Sequence, residues 1–294
     1  RIRHSILVSD YMDDNKKKSI KINNFSEIFE KYDSIICDIW GVIHNGQELF
    51  SSSVDCLYDL KNKGYPIILV SNAPRPGEEI KLILEKMGLK KNCYDKIITS
   101  GDLTQKILND GSLGQNCYHI GPDRDLKIFE GIKVNRVSFD KSDFIFITGL
   151  FNDEEEDENT YLPLLKEGKK RKLKLLCANP DIWVQRGSDL IPCAGAISKK
   201  YESIGGEVIN IGKPFRPIFD EAIKNINSLG KGKFSSTIVI GDGIDTDIKG
   251  ANDYKLDSLL TLGGLFSGQK IDEVYKMINN KKVFPTYLIE ELIY

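Results

Sequence analysis

Asp38 ends an apolar run, Ile35-Ile36-Cys37, and opens the loop Ile39-Trp40-Gly41-Val42. The same layout returns far along the chain, where Thr237-Ile238-Val239-Ile240 leads into Gly241-Asp242-Gly243-Ile244-Asp245-Thr246-Asp247. A carboxylate at the carboxyl end of a buried strand is where an open α/β sheet places its chemistry. Two such loops predict one shared Mg²⁺ site, because a hard cation takes converging oxygen ligands. Two more polar pieces follow apolar runs: Ser71-Asn72 after residues 67–70, and Gly212-Lys213-Pro214 after residues 208–211. These residue types suit displacement at phosphorus. A carboxylate attacks and forms an aspartyl-phosphate, dividing one hard step into two easier ones. A serine hydroxyl and backbone amides bind the phosphoryl oxygens, while a lysine and Mg²⁺ offset the charge that develops.

The chain must supply strands that end at these points. Apolar, β-branched runs at 34–37, 67–70, 96–98, 208–211, 238–240 and 258–262 alternate with stretches of helical periodicity, which reads as a series of βαβ units. Residues 53–63 predict a helix ended by Gly64, and residues 76–87 predict another stopped by Gly88. The alternation predicts an α/β fold with a doubly wound parallel sheet. A second strand–helix series, with runs at 117–120, 143–150 and 173–178, interrupts the first. It predicts an inserted α/β domain at 102–206, with linkers near 99–101 and 205–206. Residues 1–101 and 207–294 then form one discontinuous core domain. The acidic run 153–158 and the basic run 169–174 read as solvated segments around a helix beginning near Thr160.

Bulk properties exclude several function classes. The 294 residues carry 41 basic and 43 acidic side chains, so no net field recruits nucleic acid or an anionic membrane. The longest apolar runs fall well short of a membrane span, and the patch at 5–8 is too weak for a signal peptide. Six cysteines, without C-x-x-C spacing, sit largely in apolar runs. They read as reduced, buried thiols of a cytoplasmic enzyme. Strand alternation points Cys37 away from Asp38. His4 and His119 stand alone, without metal-ligand spacing.

Taken in order, these motifs resemble the haloacid dehalogenase-like superfamily of phosphohydrolases, over almost the whole chain. The insertion between the serine and lysine motifs is similar to a class II cap on a Rossmann-like core. Gly212-Lys213-Pro214, the run from Gly241 through Thr246-Asp247-Ile248 to Gly250-Ala251, Ala178-Asn179-Pro180-Asp181 and Ala194-Gly195-Ala196-Ile197 resemble its class IIA branch of sugar-phosphate, phosphoglycolate, nitrophenyl-phosphate and pyridoxal-phosphate phosphatases. Asp38-x-Trp40-Gly41-Val42-x-His44-x-Gly46 looks like a bacterial subgroup of that branch. The resemblance implies Asp38 as nucleophile and metal ligand, with the Trp40 carbonyl, Asp242 and Asp247 completing an Mg²⁺ site. It implies Ser71, Asn72 and Lys213 on the phosphate, Asn179 and Asp181 beside the substrate, and a homodimer contact near the cap.

The family places a second aspartate two residues after the nucleophile as general acid and base. Here that place is Trp40, which transfers no proton, and such help is typically worth about 10²–10⁴-fold. His44 is a candidate replacement because its ordinary pKa lies near neutrality, and equally a residue that shapes the turn before Gly46. Trp40 itself reads either as a ring to stack on substrate or as a pocket wall. Asp245 reads as a turn residue, and Arg75 either as an anion contact or as a helix cap. The leading expectation is an Mg²⁺-dependent phosphatase of a small phosphorylated metabolite. Two readings stay open beside it: a phospho-ligand-binding or regulatory protein, and phosphoryl transfer to an acceptor other than water.

Overall fold

The computed structural model describes residues 19–186, 189–230 and 235–294, so His4 and the patch at 5–8 lie outside the described residues. The chain begins β1 (Ile20–Lys21), β2 (Ser34–Asp38), α1 (Ser51–Asn62), β3 (Ile67–Ser71), α2 (Gly77–Met87), β4 (Lys96–Thr99) and α3 (Ser100–Asp110). There follow β5 (Asn116–Ile120), β6 (Asn135–Arg136), β7 (Phe144–Ile147), α4 (Leu162–Lys170), β8 (Lys174–Cys177), β9 (Trp183–Arg186), β10 (Asp189–Pro192), α5 (Ala194–Ser203) and β11 (Val208–Asn210). The chain closes with α6 (Arg216–Leu229), β12 (Thr237–Gly241), α7 (Lys249–Tyr254), β13 (Asp257–Thr261), α8 (Ile271–Lys281) and β14 (Tyr287–Ile289).

One sheet has seven strands in the order β1-β14-β13-β12-β2-β3-β4, all paired in parallel. From β2 the chain winds outward through β3 and β4, and from β12 it winds the other way. The strand order therefore reverses between β2 and β12, the position at which such sheets open a crevice beyond their carboxyl ends. The central strands are continuous apolar runs because helices cover both faces. Ile35, Leu69 and Ile240 pack with Leu57 and Leu60 of α1 on one side. On the other, Ile36, Val70 and Val239 pack with Ile218, Phe219 and Ala222 of α6.

A second sheet, in the order β11-β8-β7-β5-β6, is also parallel, and β9 and β10 form an antiparallel hairpin beside it. Phe144, Phe146 and Leu176 join the core cluster that covers the first sheet, while Ile145, Ile147 and Leu175 pack under Leu165 of α4 and Ile197 of α5. No helix among the described residues is long and apolar enough to cross a membrane.

Two expectations change. The run 208–211 was placed with the first series, yet β11 pairs with β8 in the second sheet; its apolar pattern suits either sheet edge. Residues 99–101, read as a linker, open α3. Thr99 Oγ1 accepts the Asp102 N–H at 3.0 Å and Asp102 Oδ2 accepts the Thr99 N–H at 3.0 Å, a reciprocal cap that fixes the helix start.

Candidate active site

Asp38 is the last residue of β2 and Asp242 follows β12, its neighbour in the sheet, so parallel pairing brings the two loops side by side. Asp247 lies in the π-turn Ile244–Ile248 that follows. Ligand oxygens of Asp38, Asp242 and Asp247 all fall within 4.8 Å of one another, and all three residues are buried. Two of the enclosing positions demand glycine. Gly41 has φ +81°, and a Cβ there would fall 1.9 Å from Asp242 Oδ2. Gly212 has φ +123°, and a Cβ there would fall 2.5 Å from Asn72 Oδ1. Both are left-handed conformations that a side chain resists.

Lys213 is the counter-charge. Its ammonium sits 2.6 Å from Asp38 Oδ1 and 2.8 Å from Asp247 Oδ1. Burial disfavours its charge, but Asp247, Asp38 and Asp181 together outweigh that and hold it protonated. Burial raises the Asp38 carboxyl well above its usual range and Asp247 adds repulsion, against which Lys213 works. Asp242 is pushed up to about 7, by burial and then by Asp247. Asp38 Oδ1 also accepts the Ile39 N–H at 2.7 Å, and Asp242 Oδ2 accepts the Leu265 N–H at 2.9 Å. Three crowded carboxylates facing one ammonium form an oxygen-only donor set that suits a hard divalent cation.

The remaining expected residues divide into two groups. Ser71 ends β3, accepts the Ala73 N–H at 3.1 Å and lines the pocket above Asp38. Asp181 and Trp40 line the same pocket, and Asn179 lines the cavity that continues from it. Asp181 is pushed up to about 6 by burial, with Lys213 and its Asn72 hydrogen bond working the other way.

Asn72, expected on the phosphate, lines the same pocket and also ties two loops together. Its Oδ1 accepts the Lys213 N–H at 2.6 Å, and its Nδ2 donates to the Lys213 carbonyl at 3.0 Å and to Asp181 Oδ1 at 2.8 Å. These bonds occupy both amide protons, so Asn72 fixes the lysine loop and Asp181. His44, weighed as a proton donor, is not among the residues lining the pocket. Its Nδ1 accepts the Gly46 N–H at 2.8 Å, and its ring packs edge-on against Trp40 at 4.9 Å. Burial, helped by Arg75, pushes it down to about 4, so at neutral pH it is uncharged and shapes the turn.

Asp245 pairs with Lys281 on the surface, and His119 is half-buried against Phe129 and Phe146. Cys37 is buried in the core below Asp38. Arg75 caps no helix: its Nε lies 3.6 Å from Asp125 Oδ1.

Several site residues escaped the sequence reading. Thr246 and Leu265 line the pocket, as do Trp183 and Val184 from the β9–β10 hairpin. Asp153 opens the acidic run read as solvated, yet its side chain is only 8% exposed and is bonded by both Arg124 and Arg186. The glycine pair before Leu265 was an available signal, because a Cβ at Gly264 would fall 2.1 Å from Asp242 Oδ2.

A family model described as haloacid dehalogenase-like hydrolase matches residues 35–135, and one described as HAD-hydrolase-like matches residues 210–292. A solved hydrolase of the haloacid dehalogenase-like family from Brucella suis 1330 superposes with a TM-score of 0.85 at 36% identity, covering 92% of this chain and 100% of that one. A possible sugar phosphatase of the HAD superfamily from Cytophaga hutchinsonii gives 0.78 at 24% identity, covering 94% and 99%. The ribonucleotide monophosphatase NagD of Escherichia coli K12 is 25% identical over 247 residues, 82% of this chain and 92% of its own length.

Proposed function

This chain belongs to the haloacid dehalogenase-like hydrolases, among their phosphatases, and on that premise we propose that it hydrolyses a small phosphorylated metabolite through an aspartyl-phosphate on Asp38. The observation that carries the proposal is the ammonium of Lys213 bridging Asp38 and Asp247 within a three-carboxylate cluster at the sheet's switch point. A protein that only bound phosphate would have no use for a carboxylate aimed beside that charge.

In this reading the Asp38 carboxylate attacks phosphorus and the ester oxygen departs with the P–O electron pair. Asp181 is the pocket-lining carboxyl outside the three-carboxylate cluster, and we assign it the proton delivered to that oxygen. It then takes a proton from the water that attacks the aspartyl-phosphate, releasing inorganic phosphate and restoring Asp38. Ser71 donates its hydroxyl to a phosphoryl oxygen, and Lys213 holds positive charge against the others. Asp38, Asp242, Asp247 and the Trp40 carbonyl would hold Mg²⁺, which supplies further positive charge to the phosphoryl group when bound. The seven-stranded sheet serves as the core domain. The inserted sheet serves as a cap whose edge strand β11 carries the expected limit at 206 on to 210.

Trp40 at the place of the family's acid supports the second reading, a phospho-ligand-binding protein with little turnover. Phosphate release from a panel of monoesters with graded leaving groups, with Mg²⁺ and with EDTA, separates the two. The phosphatase gives metal-dependent release across the panel. Binding of the same esters without release supports the second reading.

A further inference from the structure

A cavity of about 430 Å³ opens beside loop 39–42 and shares no lining residue with the phosphate pocket. Gly41 and Val42 of that loop form one wall, and Thr261 and Gly263, where β13 ends, form another. A third wall is the start of α1, at Ser51, Ser52 and Ser53.

Phe50 precedes this 12-residue helix and offers no side-chain acceptor to cap it. Val54 donates its N–H to the Phe50 carbonyl at 3.1 Å and closes the first turn. The N–H groups of Ser51, Ser52 and Ser53, ahead of that bond, meet no acceptor among the described residues. An independent observation points the same way. Ser53 is only 3% exposed and lines the cavity, and its hydroxyl has no partner among the described residues. Buried hydroxyls are ordinarily bonded, so these donors together are free for a ligand. Uncapped N–H groups and the positive end of a helix suit a carboxylate or a phosphate.

The rest of the lining narrows the choice. Its charged members are Glu48 and Glu291, both exposed, with no lysine, arginine or histidine beside them. They repel a plain anion and attract an ammonium group. Val42, Leu49 and Leu292 supply apolar surface.

We propose that this cavity binds a free amino acid with an apolar side chain. Its carboxylate takes the N–H groups that open α1 and the Ser53 hydroxyl. Its ammonium faces Glu48 and Glu291, and its side chain covers Val42, Leu49 and Leu292. The site stands apart from the phosphate pocket and does not depend on the phosphatase reading.

Calorimetry at neutral pH tests the proposal with L-valine, L-leucine and L-phenylalanine. The comparison ligands are 4-methylpentanoate, which lacks the ammonium, 3-methylbutylamine, which lacks the carboxylate, and inorganic phosphate. At least one amino acid is expected to bind with a Kd below about 1 mM, and about tenfold or more tightly than each comparison ligand. Ser53→Ala and Glu291→Gln each weaken that binding about tenfold, and the bound amino acid slows hydrogen exchange of the amides at 51–53. No binding by any of the three amino acids at about 10 mM overturns the proposal. Equal binding of 4-methylpentanoate or phosphate also overturns it, because the glutamates then take no part. Equal binding of 3-methylbutylamine does the same for the helix start. Affinity unmoved in both variants places the amino acid elsewhere on the protein and overturns the site.

Discussion

Asp181 and His44, both weighed for proton transfer, depart from their ordinary behaviour in opposite senses. Burial keeps a proton on Asp181 up to about pH 6 and keeps His44 uncharged down to about pH 4. Asp181→Asn therefore slows hydrolysis of alkyl phosphates by about 10²–10⁴-fold, while p-nitrophenyl phosphate, whose leaving group needs no proton, loses far less. In the wild type, the rate of leaving-group departure for alkyl esters declines as pH rises through about 6, because the acid form is lost. A parallel pH profile in Asp181→Asn would remove the assignment. His44→Ala leaves that limb in place and lowers stability by about 1–3 kcal/mol, the cost of losing a buried acceptor, as measured by denaturant unfolding. The types of these residues were legible in the sequence but their roles were not. The resemblance implies Asn72 on the phosphate, but its bonds to Lys213 and Asp181, far away in the chain, were not legible.

At the scale of elements, strand ends place the chemistry and loops set its clearance. The approach of loop 39–42 to Asp242 depends on Gly41. Gly41→Ala introduces a Cβ into the carboxylate as well as an unfavourable φ, and is expected to abolish Mg²⁺-dependent turnover while the chain stays folded by circular dichroism. Retained metal dependence would show that the loop has another way to close. The strands that carry Asp38, Ser71 and Asp242 could be read in advance, because an apolar run ending in a polar residue is a local pattern. Membership of β11 in the second sheet could not, since three apolar residues do not specify which edge they join. The β9–β10 hairpin and its Trp183 were missed for a related reason: an antiparallel pair of four-residue strands leaves little periodicity in a polar stretch.

In the whole molecule, two parallel sheets share one hydrophobic cluster and meet over the site, so cation binding, pH and stability are coupled. Asp242 titrates near 7 in the fold against 3.8 for an ordinary aspartate, so between those values the native state binds the extra proton. Without a divalent cation this group's contribution to stability falls as pH rises from about 4 to about 7. A cation that takes the proton's place reverses the trend. Saturating Mg²⁺ is expected to raise the melting temperature by about 5 °C, more at pH 8 than at pH 6, and an equal shift at both would contradict the coupling. The overall α/β plan and the interruption of one strand series by another were legible from alternation and motif order. The packing of the inserted sheet onto the core, which creates the pockets, depends on contacts between distant residues that no local pattern records. The most direct test of the account is phosphate release from p-nitrophenyl phosphate by the wild type and by Asp38→Asn, each with Mg²⁺ and with EDTA. The account predicts release by the wild type with Mg²⁺ and by none of the other three. Turnover retained in Asp38→Asn would contradict it.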